Sequence, residues 1–151
     1  MIRFIQAILT GAFFTLIYDF FIFIGIFENY IKKYDIHVYY NILFADHQSF
    51  MLFAFSSLIL GIVLIFIDNK KLSVILGTTL FMLSLSPMIP AVGESLAKKM
   101  LMQENITLHV GKYTYSGDIY YNGRRDLYFF DKELNKILKF NKENIKDEGY
   151  K

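Results

Sequence analysis

The amino-acid sequence predicts a mostly α-helical membrane protein, with three transmembrane helices followed by a small C-terminal antiparallel β-meander. Apolar residues make up 54% of the 151 residues, and the 16 Phe and 11 Tyr are more than a soluble domain of this size usually carries. The mean hydropathy is +0.35. Charges are sparse over residues 4–92 and dense from Lys98 onward, which is typical of a lipid-embedded front and a water-facing tail.

The first apolar stretch, residues 4–27, predicts a transmembrane helix. As a helix it would extend about 36 Å, which exceeds the thickness of the hydrocarbon core and allows some tilt. The small residues Ala7, Gly11 and Thr15 recur every four residues, and Asp19 is next in the series. Small residues at this spacing allow another helix to approach closely.

Two further apolar stretches, residues 50–67 and 72–92, carry no charged side chain. The link between them is short and polar, so the two predicted helices form an antiparallel hairpin. Pro87 and Pro90 interrupt the third stretch and predict a kink or an early end there, because proline removes a backbone donor. Residues 91–102 are amphipathic, which indicates either a continuation of the third helix or a short helix at the membrane surface.

The orientation in the membrane is less well determined by the sequence than the spans are. Basic residues flank the spans almost evenly: Arg3, Lys70 and Lys71 on one side, and Lys32, Lys33, Lys98 and Lys99 on the other. The short basic N-terminal overhang and the paired lysines in the tightest loop favour a cytoplasmic N-terminus. We therefore expect a protein of a bacterial cytoplasmic (inner) membrane, with its C-terminal tail outside.

The loop over residues 28–49 is rich in tyrosine, which suits the headgroup zone, and we expect it to lie on the membrane surface. His37, Asp46 and His47 are weak candidates for a metal site, since two imidazoles and a carboxylate suit zinc. Their spacing matches no strong pattern and a fourth ligand is not evident, so we expect no metal. The alternative is a set of interfacial polar residues, with Asp46 capping the second helix.

The sequence divides into a transmembrane region, residues 1–103, and an extramembrane β tail, residues 104–151. We expect three or four strands, drawn from residues 107–115, 119–121, 124–131 and 136–140. The connecting turns are expected at residues 116–118, at the hairpin signal Asn122-Gly123, and at residues 132–135. So small a sheet needs the membrane surface, the amphipathic helix or a partner to cover one face. Residues 141–151 are expected to be frayed.

Asp19 is the residue that most needs a physical explanation. It stands eight residues before the end of the first span, about 12 Å below the helix end, where an ionised carboxylate costs at least about 2.5–3.5 kcal/mol. The same depth corresponds to Ser56 or Ser57 in the second span and to Ser84 in the third. This predicts an intramembrane polar cluster of Asp19, Thr15, Ser56, Ser57 and Ser84. Three interpretations remain: a structural clamp, a protonatable or ion-binding site in a transport path, and a pair with a basic residue of a partner protein.

The candidate residues for contact with a partner, on the side of the membrane that carries the C-terminal tail, are Glu94, Arg124 and Arg125. Glu94 stands four residues before Lys98, as in an exposed helical ion pair. The two arginines follow the predicted hairpin turn, either as a solvated strand end or as a contact for lipid headgroups or an acidic partner.

The sequence predicts no catalytic residue and no cofactor. It contains no cysteine, shows no serine with a nearby base, and has scattered glycines rather than a phosphate-binding loop. The net charge of +2 excludes a nucleic-acid footprint. We expect a non-enzymatic accessory or scaffold subunit that contacts membrane lipid and other membrane or envelope proteins. The alternative is an oligomeric ion or proton pathway that uses Asp19.

Overall fold

The computed structural model describes residues 1–145, which are mostly helical with a four-stranded antiparallel sheet at the C-terminal end. The helices are α1 (Ile2–Ile26), α2 (Tyr40–His47), α3 (Phe50–Ile65), α4 (Lys70–Leu85) and α5 (Pro90–Leu101). A π-helical turn, Phe27–Ile31, extends α1, and a 3-10 turn, Ser86–Met88, joins α4 to α5. The strands are β1 (Gln103–Val110), β2 (Tyr113–Asn122), β3 (Asp126–Asp131) and β4 (Lys136–Asn141).

Two helical stretches within residues 1–145 are long and apolar enough to cross a membrane. They are Ile2–Ile31, which is α1 with its π-helical turn, and Lys70–Met88, which is α4 with its 3-10 turn. A third candidate consists of α2 and α3 together, which are bent by 84° at the break between them. By itself α3 has 16 residues and extends about 24 Å, so the predicted span over 50–67 is shorter than expected.

The stripe of small residues on α1 packs against α3. Ala7, Gly11 and Thr15 are buried. A Cβ atom placed on Gly11 would overlap the carbonyl oxygen of Ser57, and one placed on Gly61 would overlap the carbonyl oxygen of Ala7. The two backbones are therefore in direct contact, as the spacing of small residues predicts.

The outward faces of α1, α3 and α4 carry large apolar side chains that are exposed. Phe13 is 61% exposed, Phe55 63% and Met82 60%, and similar residues continue along all three helices. In water, contiguous apolar surface of this extent is a site of association or aggregation.

The break predicted at the prolines is confirmed. The helix ends at Leu85, and Pro87 is buried in the 3-10 turn that follows. This turn lies between α1 and α5, because a Cβ on either Gly25 or Gly93 would overlap the backbone of Pro87. The Asn29 amide donates to the Pro87 carbonyl oxygen at 2.8 Å, which ties the extension of α1 to the same corner.

The predicted antiparallel meander is confirmed, with four strands in the spatial order β1-β2-β3-β4. The turn predicted at residues 116–118 is wrong, because these residues lie inside β2. The first turn is at Gly111, whose φ of +65° is a conformation that glycine adopts readily. Gly117 instead allows close approach within the sheet, since a Cβ there would overlap the carbonyl oxygen of Phe130.

The turn predicted at residues 132–135 is confirmed, but the predicted hairpin turn at Asn122-Gly123 lies instead over residues 123–125, so Arg124 and Arg125 are loop residues rather than the start of a strand. Asn122 ends β2, and the Gly123 N–H donates to the Asp126 carbonyl oxygen at 3.0 Å, so the hairpin forms with a three-residue loop. In the next turn, Asp131 Oδ1 accepts from the backbone N–H groups of Glu133 and Leu134.

Within residues 1–145, two clusters of buried hydrophobic residues lie on the two faces of the sheet. The first, which we term the junction core, joins one face of the sheet to α1, α2 and α5; its buried members include Phe23, Ile26, Tyr30, Leu43, Ala97, Tyr121 and Tyr128. The second lies on the other face of the sheet and consists of Leu108, Ile119, Leu127 and Phe129. One face is thus covered by helices, in agreement with the expectation that the amphipathic helix contributes.

The end of the described chain returns to β1. Ile145 forms an antiparallel bridge with Val110, and the Lys142 N–H donates to the Arg125 carbonyl oxygen at 2.9 Å. The expectation of fraying from residue 141 is therefore wrong as far as Ile145, where backbone bonds hold the chain. Residues 146–151, to which the same expectation applied, lie outside the described residues.

Candidate functional site

Asp19 lies at the level where α3 begins. The Gln48 side-chain amide donates to Asp19 Oδ2 at 2.9 Å, and Gln48 directly precedes Ser49, the N-cap of α3. The sequence suggested a depth of about 12 Å, counted from the end of the first span. In the structure the helix continues past Asp19 to Ile26 and through the π-helical turn to Ile31, where it enters the junction core.

A cavity of about 290 Å³ adjoins Asp19 between α1, α3 and α4. Four of the five residues of the predicted polar cluster line this cavity: Thr15, Asp19, Ser56 and Ser84. These four side chains thus share one space, and their position within a membrane stays a prediction. We refer to it as the Asp19 cavity.

The hydroxyl groups of the predicted cluster do not bind the carboxylate within the described residues. Ser57 donates to the Phe53 carbonyl oxygen and Ser84 to the Phe81 carbonyl oxygen, each at 2.7 Å, so both bond within their own helices. The fifth member of the cluster, Ser57, lies instead at the contact between α1 and α3. Gln48, which the sequence analysis did not single out, provides the hydrogen bond that Asp19 was expected to receive from serines.

Glu94 is the centre of a four-residue cluster that joins α5 to the segment after α1. Lys33 Nζ lies 2.6 Å from Glu94 Oε2, Lys98 Nζ lies 2.8 Å from Oε1, and the Tyr34 hydroxyl donates to Oε1 at 2.7 Å. The predicted pair with Lys98 is present, but Lys33 and Tyr34 bind the same carboxylate. We term this group the Glu94 cluster.

The three donors hold the pKa of Glu94 well below its ordinary value. The hydrogen bond from Lys33 is the largest cause, followed by those from Lys98 and Tyr34, and together they lower the pKa from 4.5 to about 2. The Glu94 side chain is 20% exposed, so solvent screens part of this attraction. The cluster thus stabilises the contact between α5 and the extension of α1 when Glu94 is ionised.

Acidification is expected to weaken this contact. Because the folded-state pKa of Glu94 lies below its unfolded value, its stabilisation is complete above about pH 4.5 and is lost as the pH falls towards 2. Glu94→Gln should cost about 1 kcal/mol near pH 7 and should flatten the loss of stability between these pH values. Thermal unfolding across that range measures the effect. Glu104→Gln, on an exposed strand residue, is the matched control; an unchanged pH profile in Glu94→Gln would contradict the assignment.

Arg124 joins the β2–β3 loop to α2. Its Nε lies 3.0 Å from both carboxylate oxygens of Asp46, and its Nη2 lies 2.6 Å from Oδ1. The Arg124 side chain is 65% exposed, so it remains solvated while it forms an ion pair with Asp46 of the same chain. Asp46 does not cap α3; Ser49 does, accepting from the Leu52 N–H. Arg125 is exposed in the same loop.

His37, Asp46 and His47 do not form one site. His37 is exposed and its Nδ1 lies 3.0 Å from the Asp35 carbonyl oxygen, whereas His47 packs on the Tyr121 ring. Within residues 1–145 no group of three metal-ligating side chains is positioned to hold an ion. Asp46 is occupied by Arg124, so the three candidates have separate surroundings.

The chain thus presents three polar features, namely the Asp19 cavity, the Glu94 cluster and the ion pair of Arg124 with Asp46. The Glu94 cluster holds α5 against the segment after α1, and the ion pair holds the β2–β3 loop against α2. Comparison of the chain with models of protein families, with curated proteins and with solved structures finds no match.

Proposed function

We propose that this chain is a small integral membrane protein that serves as a non-enzymatic accessory or scaffold subunit of a larger membrane or envelope assembly. The observation that carries the membrane part is the exposed apolar surface on the outward faces of α1, α3 and α4. Burying such a surface in lipid removes it from water, at about 25 cal/mol per Å². The N-terminus lies in the cytoplasm and the sheet outside in this proposal.

The geometry of α2 supports a membrane surface near Asp19. Since α2 and α3 are bent by 84°, α2 runs along the surface if α3 runs across the bilayer. Tyr40, at the start of α2, donates to the Phe20 carbonyl oxygen, and Phe44 packs on Phe23, so α2 lies across α1 just beyond Asp19. Tyrosines and short surface helices are typical of this zone.

The scaffold role is supported by the surfaces that the chain offers to a partner. The two outer strands of the sheet, β1 and β4, each have a neighbouring named strand on one side only. Apart from the bridge between Val110 and Ile145, no strand within residues 1–145 pairs with the outer sides of β1 and β4, and such edges suit the addition of a strand from another protein. The helices enclose little volume and their small-residue contacts are typical of helices that associate in lipid.

A second function, an oligomeric ion or proton pathway, is favoured by one observation. The Asp19 cavity places a carboxylate beside about 290 Å³ of space between three helices, with Ser56 and Ser84 in its wall. An ionisable residue within a helical membrane segment is a candidate for proton or ion transfer. Several copies of the chain would be needed to line a continuous path.

One experiment with two arms tests both functions. Alkaline washing of membranes followed by mild detergent extraction should leave the wild type in the membrane fraction and then recover it in a complex larger than the chain. Release by alkali, or recovery as a lone monomer at its native level, would overturn the first proposal.

In liposomes, Asp19→Asn keeps the hydrogen-bonding capacity of the side chain but cannot ionise. Loss of ion flux with intact assembly would favour the pathway, and absence of flux in the wild type would exclude it.

A further inference from the structure

A second cavity, of about 420 Å³, lies between the start of α2 and the β2–β3 loop. Its lining includes Val38, Tyr39 and Ile42 from the α2 side, Arg124 and Arg125 from the loop, and Tyr121 from β2. We refer to it as the basic cavity. It is separate from the Asp19 cavity and lies on the sheet side of α2.

The charges around the basic cavity leave one positive charge uncompensated. Arg124 is balanced by Asp46, and Asp126, which also lines the cavity, lies 2.9 Å from Lys139. Arg125 is exposed and makes no ion pair or side-chain hydrogen bond with any residue of the described range 1–145. Its guanidinium is therefore available to an anion.

Hydrogen-bond donors accompany this charge. The N-cap of α2, Tyr39, provides no side-chain bond to the first turn of the helix, whose N–H groups at Tyr40 and Asn41 lack partners within α2. Tyr39 and Ile42 place this end of the helix at the cavity wall. The hydroxyl of Tyr121, a residue that is only 2% exposed, has no hydrogen-bond partner within residues 1–145. Arg125, Tyr121 and the start of α2 line the same cavity, and a guanidinium together with unpaired N–H and O–H donors matches the acceptor oxygens of a phosphate.

We propose that the basic cavity binds a phosphate group, with Arg125 as its principal cationic contact. Two kinds of ligand carry such a phosphate group, namely the headgroup of an anionic membrane lipid and a free phosphate anion. The lipid source rests on the proposed membrane function, because only then does the cavity, beside the in-plane helix α2, lie at the height of the headgroups. Tyr39, which is 77% exposed, and Ile42 would then face the lipid surface.

The test compares lipid retention in three variants with that of the wild type. The full chain is reconstituted in nanodiscs of phosphatidylcholine and phosphatidylglycerol in equal amounts, extracted in mild detergent, and its retained lipids are measured by mass spectrometry. The wild type should be enriched in phosphatidylglycerol. Arg125→Gln should lower this enrichment about fivefold, which corresponds to about 1 kcal/mol for one cation near a membrane surface. Arg125→Lys keeps the charge and should retain most of it.

Lys112→Gln is the matched control, because it removes one exposed charge at the β1–β2 turn, away from the cavity. Inorganic phosphate supplies the second arm: a rise in the unfolding temperature of the wild type, absent in Arg125→Gln, without lipid preference, would identify free phosphate as the source. Equal losses in Arg125→Gln and Lys112→Gln, or no effect of either lipid or phosphate, would overturn the proposal. Failure of membrane integration appears separately, as release by alkali, and leaves the phosphate arm valid.

Discussion

Replacing Gly11 by alanine is expected to separate α1 from α3 and to destabilise the protein by about 3 kcal/mol, at the upper end of the usual cost of overpacking. The added Cβ would overlap the carbonyl oxygen of Ser57 and would lie 2.8 Å from the backbone nitrogen of Gly61. Backbone atoms of a packed helix cannot rotate away as a side chain can, so the helices themselves must move. Unfolding of the purified protein in detergent, followed by circular dichroism, measures the loss.

Gly77→Ala is the matched control for this prediction. Gly77 is also a buried glycine within a helix, but a Cβ there meets only Leu64 Cδ2, at 3.4 Å. Alanine is favoured over glycine in a helix interior by about 0.8–1 kcal/mol, so this variant should be at least as stable as the wild type. If Gly11→Ala proved as stable as Gly77→Ala, the close contact between α1 and α3 would not exist in the folded protein.

Replacing Gly93 by alanine is expected to have a cost of the same size, about 3 kcal/mol, at the opposite end of the molecule. A Cβ on Gly93 would overlap the carbonyl oxygen of Pro87, and it would lie 3.0 Å from both the Asn29 amide nitrogen and the Gly25 carbonyl oxygen. One methyl group therefore interferes with three segments that meet at this corner. Because α5 leads directly into β1, we expect increased protease sensitivity of the sheet together with a lower unfolding temperature.

Ser95→Ala lies on the same helix but on its exposed side, and it controls for general effects of substitution in α5. It should leave both the unfolding temperature and the proteolysis pattern close to those of the wild type. A Gly93→Ala variant that matched Ser95→Ala in both measurements would contradict the packing of the Pro87 turn between α1 and α5.

The surroundings of Asp19 show where a count along the sequence stops being sufficient. Thr15, Ser56 and Ser84 line one cavity with it, whereas Ser57, which the count also reached, does not. The count assumed that the first helix ends at the membrane surface, whereas α1 continues into the junction core. Gln48 was missed because its position, directly before the N-cap of α3, becomes meaningful only once the bend between α2 and α3 is known.

The ion pairs that attach α5 and the β2–β3 loop to distant segments had no signal in the sequence. Lys33 is 61 residues from Glu94, and Arg124 is 78 residues from Asp46. Local spacing predicts only partners three or four residues apart on one helix, as for Glu94 and Lys98. The pairing of distant charges depends on how the helices and the sheet are oriented, which local patterns do not encode.

The sequence by itself determined the helical and strand content, the break at Pro87 and the close-packing stripe on α1, since each depends on the period of apolar residues or on the backbone chemistry of glycine and proline. It did not determine the true position of the first strand turn, because Gly111 and Gly117 look alike in the chain and differ only in what lies beside them. Only the tertiary structure showed that α1, with its π-helical turn, extends past the start of α3 into the junction core, and that α2 packs across α1. Those two facts place Gln48 beside Asp19 and bring the arginine loop to the start of α2, because such positions follow from packing between segments far apart in the chain.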